Sequence, residues 1–129
     1  MQKLKVLLAD DEPDFRRLMG LRIRKWGYSM LEAADGEKAL AILKKKVPDI
    51  VILDYKMPKL DGVATLRAIR KINKSTPVIM FTAYPEDKAI ESAKELNVAA
   101  FIPKLSAYSD TNVTLQHTLD MLRRQGETK

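Results

Sequence analysis

The stretch Pro48-Asp49-Ile50-Val51-Ile52-Leu53-Asp54-Tyr55 decides the fold. Its centre, Ile50 to Leu53, is apolar at every position, so it offers hydrophobic side chains to both faces of the element it forms. A strand with one wet face alternates apolar and polar residues. A strand without that alternation is covered on both faces, as in the middle of a parallel sheet. Pro48 precedes the run and Asp54 stops it.

The same layout recurs on either side. Upstream, Lys5–Ala9 is a compact apolar run stopped by Asp10, Asp11 and Glu12. Pro13 then suits the first turn of a helix. Phe15, Leu18, Met19 and Ile23 recur at helical spacing up to Trp26-Gly27 and predict an inward stripe. Tyr28–Ala33 reads as a second strand. Asp35-Gly36 breaks it and caps a helix through Lys46, with Ala39, Leu40 and Leu43 inward. Downstream, a loop with Pro58 and Asp61-Gly62 leads to a helix that buries Leu66 and Ile69. Pro77 opens a strand over Val78–Thr82, and Pro85 starts a helix carrying Ile90, Ala93 and Leu96. Ala99–Ile102 is a short strand broken by Pro103. A last helix, from about Asp110 to Arg124, buries Leu115, Leu119 and Leu122, and the polar tail Gln125–Lys129 is expected to fray. Strands alternating with helices predict an α/β fold: a five-stranded parallel sheet with five helices on its two faces and right-handed crossovers.

Composition narrows the function. At 129 residues the chain is one domain with a core and no need of staples. The absence of cysteine excludes disulfides, thiolate metal sites and cysteine nucleophiles. The single histidine, His117, excludes multi-histidine metal sites, and inside the last helix it reads as a surface or packing residue. The run Val6–Ala9 is too short to span a bilayer and no secretory leader is visible, so the expected location is the cytoplasm, away from membranes. The net charge is +6, from 23 basic and 17 acidic residues. The basic residues are spread over several helices: Arg16, Arg17, Arg22, Arg24 and Lys25; Lys44, Lys45 and Lys46; Arg67, Arg70, Lys71 and Lys74. No aromatics are interleaved with them for base stacking. They read as solvated faces first, attraction to an acidic partner second, and direct nucleic-acid binding last.

In a sheet of this kind, sites form beyond the carboxyl ends of the strands. The residues there are Asp10, Asp11, Asp54, Thr82 and Lys104. Each has an ordinary local role: the acid pair caps a helix, Asp54 makes a turn, Thr82 ends a strand, Lys104 snorkels. Together they put three carboxylates, a hydroxyl and an ammonium at one edge. Neighbouring carboxylates raise one another's pKa values, and a hard divalent cation such as Mg²⁺ relieves the repulsion. A metal pocket with an ammonium and a hydroxyl donor suits phosphoryl transfer, in which a carboxylate can itself be the nucleophile.

The segments Leu7-Leu8-Ala9-Asp10-Asp11, Asp54-Tyr55-Lys56-Met57-Pro58-Lys59-Leu60-Asp61-Gly62, Thr82-Ala83 and Phe101-Ile102-Pro103-Lys104 resemble those of response-regulator receiver domains of two-component systems. The resemblance covers roughly residues 3–124, so one receiver domain occupies the chain, with 125–129 as its tail. It implies a flavodoxin-like, doubly wound sheet in the order 2-1-3-4-5. It also implies that Asp54 accepts a phosphoryl group from a phosphohistidine of a sensor histidine kinase or histidine phosphotransfer protein. Asp11 and Asp54 would ligate Mg²⁺, with Asp10 acting partly through water and the backbone carbonyl of Lys56 as a further ligand. Lys104 would pair with the phosphoryl oxygens, Thr82 would hydrogen-bond one of them, and Phe101 would be the switch aromatic. Met57-Pro58 and Asp61-Gly62 would shape the loop after the acceptor strand. The fourth helix, fifth strand and fifth helix would present the changed surface to a downstream partner or output domain, a phosphorylation-dependent homodimer being one form of that output. The chemistry would be self-catalysed phosphorylation and hydrolysis, not enzyme turnover.

The chain departs from the family pattern at Leu105, where proline with a cis peptide is usual. A cis bond without proline costs about 2.5–4 kcal/mol, so a trans peptide is expected there. The segment Leu105–Asn112 is also longer and more polar than usual. The main alternative is a receiver-fold interaction module that works without phosphorylation. A haloacid-dehalogenase-like phosphatase ranks low, because Lys56 stands where that class places its second acid.

Overall fold

The computed structural model describes residues 3–83, 86–104 and 108–127, with side chains in the last stretch described over 112–126. Five strands, β1 (Lys5–Ala9), β2 (Ser29–Ala33), β3 (Ile50–Leu53), β4 (Val78–Thr82) and β5 (Ala100–Pro103), form one parallel sheet in the order β2-β1-β3-β4-β5. Between and after them run α1 (Pro13–Lys25), α2 (Gly36–Lys45), α3 (Gly62–Ile72), α4 (Asp87–Glu95) and α5 (Tyr108–Glu127). This is the predicted flavodoxin-like architecture. Every strand runs the same way, so every helix returns the opposite way and starts at the edge where the strands end.

The central run behaves as its composition requires. All residues of β3 and β4 are buried. Successive side chains enter opposite layers. Leu7, Ala9, Val51, Leu53, Val78 and Met80 pack with Ala39 and Leu43 of α2, Leu66 and Ile69 of α3 and Ala93 of α4. Val6, Leu8, Ile50, Ile52, Ile79 and Phe81 pack with Met19 and Ile23 of α1 and Leu115 and Leu119 of α5. Burying a large aliphatic side chain is worth about 1.5–3 kcal/mol, so these two layers dominate the stability.

Asp35 caps α2, its Oδ1 accepting from the Lys38 backbone N–H at 2.8 Å, as the sequence predicts. Asp61 caps α3 in the same way through Ala64 at 2.7 Å. Gly27, at φ +103°, makes the left-handed turn that ends α1.

Several boundaries differ from expectation. Leu18 is 41% exposed, because Phe15, Met19 and Ile23 at four-residue spacing already fill the inward stripe and Leu18 falls on its rim. Tyr28 precedes β2, yet its side chain is buried and donates to Asp120 Oδ1 at 2.6 Å. The α4 helix begins at Asp87, with Glu86 as its N-cap; Pro85 lies outside the described residues. β5 is displaced by one residue and includes Pro103, which an edge strand tolerates. The α5 helix starts at Tyr108 and continues to Glu127, so residues 125–127 of the expected frayed tail are helical. A polar composition does not by itself end a helix. The expected trans peptide after Lys104 involves Leu105, which lies outside the described residues together with the rest of 105–107.

Arg70 corrects the reading of α3 as a solvated basic face. Its guanidinium donates to the carbonyls of Leu96 (2.8 Å), Thr76 (2.8 Å), Asn97 (3.1 Å) and Asn73 (3.3 Å). It therefore ties the C-terminal ends of α3 and α4 together at the edge away from the predicted site. Burial lowers its pKa from the ordinary arginine value, and it stays charged all the same.

Candidate functional site

The parallel ladder brings the strand-end residues level. The Asp10 backbone N–H donates to Ala33, that of Asp54 to Ala9 and that of Lys104 to Thr82. Three residues far apart in the chain are thus fixed on one edge. There Lys104 Nζ lies 2.6 Å from Asp10 Oδ2 and 3.1 Å from Asp54 Oδ2. Glu12 Oε1 is 3.7 Å away. Asp10 is 1% exposed, Asp54 6% and Thr82 fully buried. Thr82 also hydrogen-bonds the Asp54 side chain.

These contacts set the electrostatics. Burial pushes the Asp54 carboxyl above the ordinary aspartate value and Asp10 adds to the effect, while Lys104 and Thr82 oppose it. Burial alone would lower the Lys104 pKa, but its bonds and charge attraction to Asp10 and Asp54 leave it raised. The ammonium therefore holds two like charges together. Asp10, Glu12 and Asp54 each present a carboxylate oxygen within 4.8 Å of the others. An oxygen-only, anionic donor set of that spacing suits a hard divalent cation.

The structure brings Asp10, Asp54, Thr82 and Lys104 into one cluster. It places Asp11 elsewhere: exposed, on an open cleft of about 430 Å³ shared with Tyr55, Lys56, Met57, Pro58 and Asp61. Phe101 of β5 is partly buried against the layer formed with α2, α3 and α4. His117 is exposed on α5.

Two supporting residues escaped the sequence reading. Glu12 supplies the third carboxylate of the cluster; the acidic run Asp10-Asp11-Glu12 was its signal. Phe15 lies under the lysine, with Nζ 4.0 Å from the ring centroid, and its ring meets Phe81 at 5.9 Å. Gly62, expected to shape the loop after Asp54, packs against the turn that follows β3, its N–H donating to the Tyr55 carbonyl at 2.7 Å. A Cβ there would lie 2.5 Å from the Asp54 carbonyl oxygen. Only glycine fits so close to that backbone.

Comparison with known proteins agrees with the geometry. The family model for the response regulator receiver domain matches residues 6–115, and the chain belongs to that family. Receiver domains are the phosphorylated signalling switches of two-component systems. Sporulation initiation phosphotransferase F of Bacillus subtilis (strain 168) is 38% identical over 104 residues, spanning 81% of this chain and 84% of that protein. The probable transcriptional regulator ycf27 of Porphyridium aerugineum is 41% identical over 104 residues, spanning 81% of this chain but only 43% of the regulator. The chain thus covers less than half the length of that relative. The structure of chemotaxis protein CheY4 of Vibrio cholerae superposes with a TM-score of 0.84 at 28% identity, covering 94% of this chain and 99% of that one.

Proposed function

We propose that Asp54 is the phosphoacceptor of a Mg²⁺-dependent signalling switch, loaded from the phosphohistidine of a sensor kinase or phosphotransfer protein. The observation that carries this reading is the single ammonium, Lys104, bonded at once to Asp10 and Asp54 on the edge where the strands end. In the transfer, a carboxylate oxygen of Asp54 forms a bond to phosphorus as the imidazole N–P bond breaks, and the imidazole keeps the electron pair and takes up a proton. Lys104 neutralises charge on the phosphoryl oxygens, and Thr82 donates its hydroxyl proton to one of them. Asp10 and Asp54 would hold Mg²⁺, with Glu12 within reach of the same position; Asp11 and the Lys56 carbonyl would join them from the open cleft that these two residues line. The bound cation would offset the charge of the acidic pocket and of the phosphoryl group.

Signalling then needs a bistable element. Thr82 moves towards the phosphoryl group, Phe101 turns into the space it leaves, and the surface of α4, β5 and α5 changes for a downstream partner, an output domain or a second copy of the chain. The domain itself binds no nucleic acid and no membrane, and it turns over only its own phosphoryl group. Among the described residues no helix is long and apolar enough to cross a membrane. The direct test is mass spectrometry after treatment with acetyl phosphate and Mg²⁺. Wild type gains one base-labile phosphoryl group and Asp54→Asn gains none; equal labelling of both refutes Asp54 as the acceptor, and no labelling of wild type favours an interaction module that works without phosphorylation.

A further inference from the structure

A chain of polar contacts reaches the acidic pocket from the side of α1. Arg16 Nη1 donates to the backbone carbonyl of Asp10 at 2.6 Å. Its Nε lies 3.5 Å from Oε1 of Glu32, and Oε2 of the same carboxylate lies 3.5 Å from Nη2 of Arg24. The Arg16 side chain is 19% exposed and that of Glu32 33%. Glu32 stands on β2 opposite Leu8 in the register, which sets it beside the last residues of β1.

The carbonyl in question is where the sheet stops helping. The Ala9 carbonyl accepts from Asp54, and the next carbonyl, that of Asp10, accepts from Arg16 instead. That carbonyl belongs to the peptide joining Asp10 to Asp11. A peptide group is planar, so fixing its C=O also fixes the direction of the chain on both sides. On one side Asp10 turns inward, with Oδ1 accepting from the Glu12 N–H at 2.9 Å and Oδ2 bonded to Lys104. On the other side Asp11 turns outward to the cleft. A rotation of this one peptide would re-aim both carboxylates.

We propose that Arg16 is a positioning residue for the acidic pocket: it fixes the Asp10–Asp11 peptide, and Glu32 orients its guanidinium. This rests on the reading of Asp10 and Asp11 as the groups that hold a divalent cation. Arginine is suited to the task because its planar fork addresses the carbonyl and the carboxylate at the same time, whereas a lysine offers one flexible point. Arg16 touches neither the phosphoryl group nor the cation and acts through the backbone of Asp10.

The test compares wild type with Arg16→Met, Arg16→Lys and Glu32→Gln. Arg16→Met keeps an unbranched apolar stem and removes every side-chain donor. Mg²⁺ titration by calorimetry is expected to show about a ten-fold loss of affinity for Arg16→Met, the lower end of what loss of a supporting partner costs a metal site. Arg16→Lys recovers part of that loss, and Glu32→Gln weakens binding in the same direction by less. In the metal-free protein, the amide resonances of Asp11 and Glu12 move in Arg16→Met, a signature that loss of packing elsewhere would not localise there. Affinity within about two-fold of wild type together with unmoved Asp11 and Glu12 amides, against the ten-fold or greater loss expected of a supporting partner, overturns the proposal. If Arg16→Met does not fold, unchanged Mg²⁺ affinity in both Arg16→Lys and Glu32→Gln overturns it. Failure of the parent reading looks different: wild type itself then binds no Mg²⁺ or takes up no phosphoryl group, while the metal-free amide comparison still reports on Arg16.

Discussion

Replacing Arg70 by methionine removes the guanidinium that gathers the carbonyls of Leu96, Thr76, Asn97 and Asn73. A hydrogen bond to a charged group contributes roughly 1.5–3 kcal/mol net. Simple addition over these carbonyls would overstate the loss. Nη1 is shared between Thr76 and Asn73, and the bond to Asn97 is exposed, so water can replace it. The bonds to Leu96 and Thr76, both at 2.8 Å and partly buried, decide the outcome. Counting those fully at the lower end gives a loss of about 3 kcal/mol. Against a typical total of about 5–15 kcal/mol this is a large fraction. For a domain between the usual size classes it lowers Tm by about 10 °C. Urea unfolding followed by circular dichroism should show a lower midpoint at unchanged slope. Arg70→Lys keeps the charge but reaches fewer carbonyls, so it should fall between the two. A loss under about 1 kcal/mol for Arg70→Met, or full rescue by lysine, would show that the fork does not hold α3 to α4, since each charged bond alone should exceed that loss.

Other expectations concern the site and its frame. Phe15→Leu removes the aromatic face under Lys104 and should slow phosphorylation from acetyl phosphate, while Phe15→Trp preserves the rate; the attraction at stake is about 0.5–2 kcal/mol, and equal rates in all three proteins would count against it. Gly62→Ala puts a methyl group 2.5 Å from the Asp54 carbonyl oxygen and 2.8 Å from Tyr55 Cα, so it should destabilise by roughly 1–3 kcal/mol and reduce labelling of Asp54. Tyr28 has a raised pKa, chiefly from burial and then from its bond to Asp120. The neutral phenol is thus favoured in the folded state. Its contribution is complete below the ordinary tyrosine pKa of about 10 and is lost as pH rises towards the folded value. Unfolding followed above that pH should show a shallower decline in Tyr28→Phe than in wild type.

The central strands were legible because β3 and β4 had to be apolar on both faces, a demand written in consecutive residues such as Ile50–Leu53, whereas the edge strands β2 and β5 are only partly buried and were read from their neighbours. The cluster was legible because the topology brings strand ends together without reference to side-chain detail. The supports were less so. Topology places Lys104 and Asp10 at one edge although they are 94 positions apart, but the direct bond between them is a side-chain detail that topology leaves open. The ring of Phe15 under that lysine depends on rotamers across two elements, which no spacing encodes. Arg70 reads as one more exposed cation, because its acceptors include carbonyls 26 and 27 positions downstream. Asp11 and Glu12 differ by one position in a turn, and whichever faces the pocket is set by backbone angles that the acidic run leaves open.

The uniform direction of the strands has an electrical consequence. Every helix begins at the site edge and ends at the far one. Acids gather in first turns, at Asp14, Glu37 and Asp87, beside Asp10, Asp11, Glu12 and Asp54. Bases gather in last turns, at Arg22, Arg24, Lys25, Lys44, Lys45, Arg70, Lys71, Lys94 and Arg124. The net charge of +6 therefore conceals a polarised body, negative at one pole and strongly positive at the other. An approaching protein with a positive docking patch is turned towards the pole that carries Asp54, and one with a negative patch is turned away. Beyond about 8 Å in physiological salt this torque is screened, so it shapes the last stage of approach and strengthens as ionic strength falls.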